Sequence, residues 1–233
     1  MSREATMSPD YRLQNEHVQN DRWQDFIAAP VRCVAMNWIV EILDGVADDE
    51  ATLAAVAYHP RFQQRLTERL MQRHGLTAPA ALPPLAEEDQ VILQLAPEHA
   101  GELVHYCGMI CHATTFVREI RAPRVVALKQ HFGTAAFLTA LAHHQLALPY
   151  PPQTVDDALS DTFANTLHQE GLACVASWLA QQSDEMGAWL RLGIAADPMI
   201  DSQEISPQIR EQGVAIVRCA ATAVLNHHRE AMP

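Results

Sequence analysis

The sequence predicts an all-α protein, a compact multi-helix domain with a central buried helix near residues 97–121. Three observations carry this. Apolar residues recur at helical spacing nearly everywhere after residue 20. No run alternates apolar and polar residues with period two, and no Asn-Gly or Asp-Gly pair sits between two such runs. Proline, glycine and serine fall where helices start and stop rather than where strands turn.

In chain order, residues 1–20 are polar and read as a disordered tail, without the apolar stretch or cleavage site of a signal peptide. The remainder, 21–233, reads as one domain. The run PVRCVAMNWIVEILDG (30–45) opens with proline in a first helical turn and closes on Gly45. DDEATLAAVAYHP (48–60) and RFQQRLTERLMQRHG (61–75) follow as two short helices, the second closing on Gly75. The stretch LTAPAALPPLAEED (76–89) is proline-rich and aperiodic. It reads as a linker that could set off an N-terminal helical lobe, 21–75. One helix is then expected from about Pro97 to Arg121, stopping before Pro123. RVVALKQHFG ends on Gly133, and TAAFLTALAHHQLAL follows it. After the break PYPP (149–152), helices are expected over roughly 155–181 and 183–194. A last one has Ser206 as its cap and Pro207 in its first turn.

The chain has 233 residues, 48 % of them hydrophobic and 19 % charged, the balance of a globular protein with a full core. A chain of this size buries roughly three quarters of its unfolded surface, so neither disulfides nor a metal is required for folding. The formal net charge of −12 repels nucleic acid and anionic lipid, and neither is an expected partner. Five cysteines, an odd number, sit in apolar helical contexts, which fits buried thiols in a reducing cytoplasm. No run approaches the roughly 18 apolar residues of a membrane helix, so direct membrane insertion is not expected.

The segment CGMICH (107–112) has the residue types of a metal or haem site. On a helix Cys107 and Cys111 share a face with Leu103, Ile110, Thr114 and Val117, an ordinary core stripe. Haem attachment needs the spacing C-x-x-C-H, which is absent. Zinc would need two further ligands, and His105 and His112 lie roughly 10 Å apart along a helix axis. Buried cysteine is the better reading. Glu102 and His105 match the Glu-x-x-His element of di-iron bundles, but no second copy occurs. Asp156, Asp157 and Asp161 resemble an aspartate-rich, magnesium-binding helix, and equally the acidic first turn of any helix. No phosphate loop, nucleophile elbow or His-Glu-x-x-His pattern is present. No cofactor or metal is therefore expected. Gly101, Gly108 and Thr115 recur every seven residues as a line along which another helix can approach. His105, Met109, His112 and Phe116 form a third stripe, with His112 expected as a satisfied core histidine.

The run ELVHYCGMICHATTFVREI resembles the central helix of the type III secretion sorting-platform adaptor family SctK (YscK, PscK and relatives). Gly108, Met109, Ile110, Cys111, His112 and Arg118 occupy the positions of that pattern. A second block, EGLACVASWLAQQSDEMGAWLRLGI, carries Gly171, Leu172 and Ala173, then Trp178 with Leu179 and Ala180, then Trp189. The run AAPVRCVAMNWI (28–39) resembles the family's first helix more loosely. The resemblance implies a non-enzymatic, all-helical adaptor for protein transport in virulence. Such a protein links the cytoplasmic domain of the inner-membrane ring protein SctD to the pod protein SctQ, and through it to the stalk and export ATPase. It would lie in the cytoplasm, at the inner membrane face when assembled. Gly108, His112, Trp178 and Trp189 are then structural motif residues, and no catalytic residue is expected. Arg118, Arg121 and Arg124, three arginines in an acidic chain, are the candidate partner contacts. Equally, they could pair with Glu119. The alternatives are an all-α metal-dependent enzyme using Glu102 and His105, or Asp156, Asp157 and Asp161, and a helical regulator or chaperone.

Overall fold

Helical spacing and well-placed stop signals produce helices throughout. The computed structural model describes residues 23–43, 50–151, 153–194, 200 and 205–231. The expected polar tail and Gly45 lie outside these. The helices are α1 (23–28), α2 (Met36–Leu43), α3 (Glu50–Tyr58), α4 (Gln63–His74), α5 (Ala100–Cys111) and α6 (Ala113–Val117). They continue with α7 (Ala122–Phe132), α8 (Thr134–Ala142), α9 (Val155–Ala158), α10 (Asp161–Leu179), α11 (Asp184–Ile194) and α12 (Pro207–Ala231). No strand occurs among the described residues, so the all-α expectation holds.

The expected stop signals act as such. Gly75 ends α4 in the left-handed region (φ 65°), and its amide donates to the Met71 carbonyl. Gly133, also at positive φ (87°), lets α7 turn into α8 through 111°. The Ser206 hydroxyl accepts from the Ile209 amide at the start of α12. Ser160 likewise caps α10, accepting from the Phe163 amide at 3.2 Å.

Around α5 pack α10, α12 and α8. Leu103, Cys107, Met109, Ile110 and Cys111 are fully buried, as expected of a central helix. The expected span 97–121 nonetheless divides into a 3-10 turn (Pro97–His99), α5 and α6. The break falls at His112 (φ −102°, ψ 20°). There the Cys111 carbonyl accepts from the Leu148 amide of a distant loop (2.9 Å), and the Thr115 amide bonds His112 instead. The break redirects the chain, so Val117 leaves the apolar stripe and is 45 % exposed.

The close-approach line also differs from its sequence form. A Cβ added at Gly108 would lie 2.0 Å from the Leu167 carbonyl oxygen of α10, and one at Gly171 equally close to the Val104 carbonyl oxygen of α5. The two helices thus touch backbone to backbone through reciprocal glycines. Gly101, by contrast, has open space beside it. Thr115 is buried for a different reason, its hydroxyl accepting from the Gln153 amide.

Residues 76–89 form short 3-10 turns whose Leu82 and Leu85 belong to the same apolar core as α4 and α5. Buried residues of the N-terminal helices α2, α3 and α4 belong to that same core cluster. They dock through α11, where the Ala35 amide donates to Leu192 and Gly193 lies against the Cys33 carbonyl. Arg73 pairs with Glu41 across α2 and α4, while Arg69 donates to the last-turn carbonyl of Ile42. No single described helix is long and apolar enough to cross a membrane.

The glycine contact has a simple test. Gly108→Ala and Gly171→Ala should each lower stability by about 1–3 kcal/mol or more, because backbone must move. Gly101→Ala should be neutral or slightly stabilising, by up to about 1 kcal/mol. Urea unfolding of the three variants separates these outcomes; equal effects at Gly101 and Gly108 would refute the assigned crossing.

Candidate functional site

The residues expected to form the structural motif all lie inside. Trp178 is fully buried on α10, and its indole N–H donates to the Asp89 carboxylate at 2.9 Å. Arg218 of α12 closes on the same carboxylate through two hydrogen bonds of 2.7 and 2.9 Å. Asp89 is 3 % exposed, so this buried charge is neutralised by a bidentate partner and an indole donor. The triad joins the 76–99 segment to α10 and α12. The sequence offers one signal for it, a lone arginine in the apolar run AIVRCAATAV, and the partner cannot be read from spacing. Trp189 of α11 donates to the Thr77 carbonyl at 2.8 Å and meets Phe26 edge-on.

His112 is buried but not satisfied as expected. It stacks on Tyr150 with ring centroids 4.8 Å apart and meets Phe163 edge-on. Its Nε2 lies 3.5 Å from a Glu170 oxygen, yet neither ring nitrogen has an aligned hydrogen-bond partner in the protein. Burial and then the Glu170 carboxylate push the Tyr150 phenol up.

The cysteine face extends further than one helix. Cys174 of α10 meets Cys111 with sulfurs 3.4 Å apart. That contact and burial raise the Cys111 thiol, while burial and then Cys174 and Cys219 raise Cys107. Both are held as thiols at neutral pH rather than as the nucleophilic thiolate.

Glu102 and His105 take different partners. The His105 Nε2–H donates to the Phe132 carbonyl at 2.9 Å. Glu102 instead meets His228 of α12 at 2.6 Å and His99, one turn earlier, at 3.7 Å. His99, Glu102 and His228 are the only three His, Cys, Asp or Glu donors among the described residues whose ligand atoms lie within 4.8 Å of one another. Asp157 is part of a side-chain cap at the start of α9: its amide donates to the Thr154 hydroxyl, which in turn donates to its carboxylate. Asp161 opens α10 beyond the Ser160 cap, and Asp156 lies in the backbone turn of α9.

The arginine-bearing end is a corner between α6 and α7. Arg121 binds Glu119 through two side-chain bonds and its own amide, and Arg124 lies 3.8 Å from the same carboxylate. The pairing with Glu119 open at the sequence level is therefore present. The Arg121 guanidinium, then its amide, hold the Glu119 carboxyl down at about 2. Arg118 is exposed, as are Val117 (45 %) and Ile120 (88 %) nearby in the chain and Val126 (50 %) on α7.

These features define an all-α protein whose motif residues are fold-determining contacts, with a basic, apolar corner on its surface. Comparison with protein-family models, curated proteins and solved structures finds no match for this chain.

Asp89→Ala leaves an indole N–H and a guanidinium without their acceptor. It should cost about 2–3 kcal/mol, moderated because Arg218 still reaches water. Asp89→Asn, which keeps one acceptor, should cost less, and urea unfolding compares the two. Glu119 gives a pH signature. Its folded value lies below the ordinary 4.5, so the pairing persists as pH falls through the usual carboxylate range and is lost near 2. An NMR titration should place its midpoint near 2 and, in Arg121→Ala, closer to 4.5. A midpoint near 4.5 in the parent protein would contradict the pairing.

Proposed function

We propose that this protein is a non-enzymatic adaptor of the type III secretion sorting platform, similar to the SctK family. In this reading it binds the cytoplasmic domain of an SctD-like ring protein on one side and an SctQ-like pod protein on the other. Stalk and ATPase connect through the pod, and the complex sits at the cytoplasmic face of the inner membrane. One observation supports the reading most. Residues that carry the resemblance hold the fold together: Gly108 and Gly171 make the α5–α10 crossing, and Trp178 and Trp189 fasten the 76–99 segment to that frame. Motif residues spent on holding helices together suit a family whose task is to present surfaces.

The surface favoured for one partner is the corner at 117–126. Val117, Ile120 and Val126 are exposed along this stretch, as is Arg118, a composition suited to an interface that combines apolar and basic side chains. Arg121 and Arg124 contribute less as free charges because they face Glu119.

Co-expression with the ring-protein cytoplasmic domain and the pod protein tests the adaptor reading. Both should be retained with the purified chain, and retention of neither would overturn it. Replacing exposed Ile120 by Asp together with Arg118→Glu should weaken one of the two interactions about tenfold or more, leaving the melting temperature unchanged. Full retention of both partners by this variant would remove the corner from consideration.

A further inference from the structure

We propose that His99, Glu102 and His228 form a binding site for a borderline transition-metal ion of the zinc class, joining the start of α5 to the end of α12. Three side chains from chain segments 126 residues apart bring two imidazole nitrogens and one carboxylate oxygen together. Glu102 Oε2 lies 2.6 Å from His228 Nε2 and 3.7 Å from His99 Nδ1, and all three donors fall within 4.8 Å of one another. Zinc with bonds of 2.0–2.2 Å requires tetrahedral donors about 3.3 Å apart, so the observed separations bracket the required one. Binding an ion requires the stacked imidazoles to turn so that both nitrogens face it.

The donor chemistry selects the ion. Two neutral imidazoles with one carboxylate suit zinc, cobalt, nickel or copper, whereas calcium and magnesium require mainly oxygen donors. Access is also suitable. The side chains of His99, Glu102 and His228 are 27, 30 and 37 % exposed, which leaves an ion a path from solvent and a position for water. The backbone around the donors is fixed. His99 ends a 3-10 turn that runs directly into α5, and His228 lies in the last turn of the 25-residue α12. The neighbouring Arg229 donates to Gln94 at 2.9 Å and holds that turn in place. The imidazoles stack with centroids 3.7 Å apart.

The site is independent of the adaptor reading, because an ion here clamps two helix ends whatever the protein binds. The test uses the untagged full chain, stripped with chelator and titrated with zinc chloride at pH 7.5 by calorimetry. Binding of one ion per chain is expected, together with a rise in melting temperature. His228→Ala and His99→Ala should each weaken it at least tenfold. Cobalt added to the parent chain should give visible bands of nitrogen and oxygen ligation without thiolate charge transfer. That readout holds even if a variant fails to fold. No binding, binding unchanged in both variants, or a thiolate charge-transfer band would each overturn the site. In the first case the cluster is a hydrogen-bonded His228–Glu102 pair only.

Discussion

The backbone contact between α5 and α10 is the constraint on which the rest of the structure depends. Gly108 rests on the Leu167 carbonyl and Gly171 on the Val104 carbonyl, so neither helix can carry a side chain at the crossing. Glycine costs helix stability, about 1 kcal/mol relative to alanine at each position. Close packing offsets that cost, because it brings whole faces of both helices within contact distance. Cys111 and Cys174 touch near the crossing, and Gly213 of α12 lies against Cys174 and Ser177 of α10. The cysteines thus serve as small apolar side chains in a tight three-helix centre.

Polar contacts then fasten the irregular segments to this frame. Asp89 holds Trp178 and Arg218, Thr77 accepts from Trp189, and the Cys111 carbonyl accepts from Leu148. Each tie joins a loop or 3-10 turn to a helix far away in sequence. Such groups must be paired once buried, and a partner is available only in the correct arrangement. They therefore favour one docking of the 76–99 segment over others that would bury a similar apolar area. That segment is aperiodic because its leucines reach the core from turns rather than from one face of a helix.

Local signals made much of this legible. Proline, glycine and serine marked helix ends at Gly75, Gly133 and Ser206, and apolar periodicity identified the α5 core face. What stayed hidden depends on partners distant in the chain. The break at His112 follows from a hydrogen bond to Leu148, which no window around residue 112 contains. The seven-residue glycine line suggests Gly101 as a contact, yet the second helix meets Gly108 and leaves open space beside Gly101. Its reciprocal partner, Gly171, lies in the second block of the family resemblance, where nothing in the spacing points to a contact with Gly108. At the candidate sites, Glu102 was paired by spacing with His105, while the fold offers it His99 and His228. The exposed corner at 117–126 was visible through its arginines, but its apolar component emerged only when the helix break turned Val117 and Ile120 outward.

Native-state hydrogen exchange measures the central claim most directly. If the α5–α10 crossing is the frame, amides of Leu103–Cys111 and Leu167–Leu179 should exchange only through global unfolding and be the slowest in the protein. Those of α2, α3 and α4, which dock onto the frame through α11, should open at lower free energy. Exchange from α5 as fast as from α2–α4, with the slowest amides elsewhere, would contradict the account.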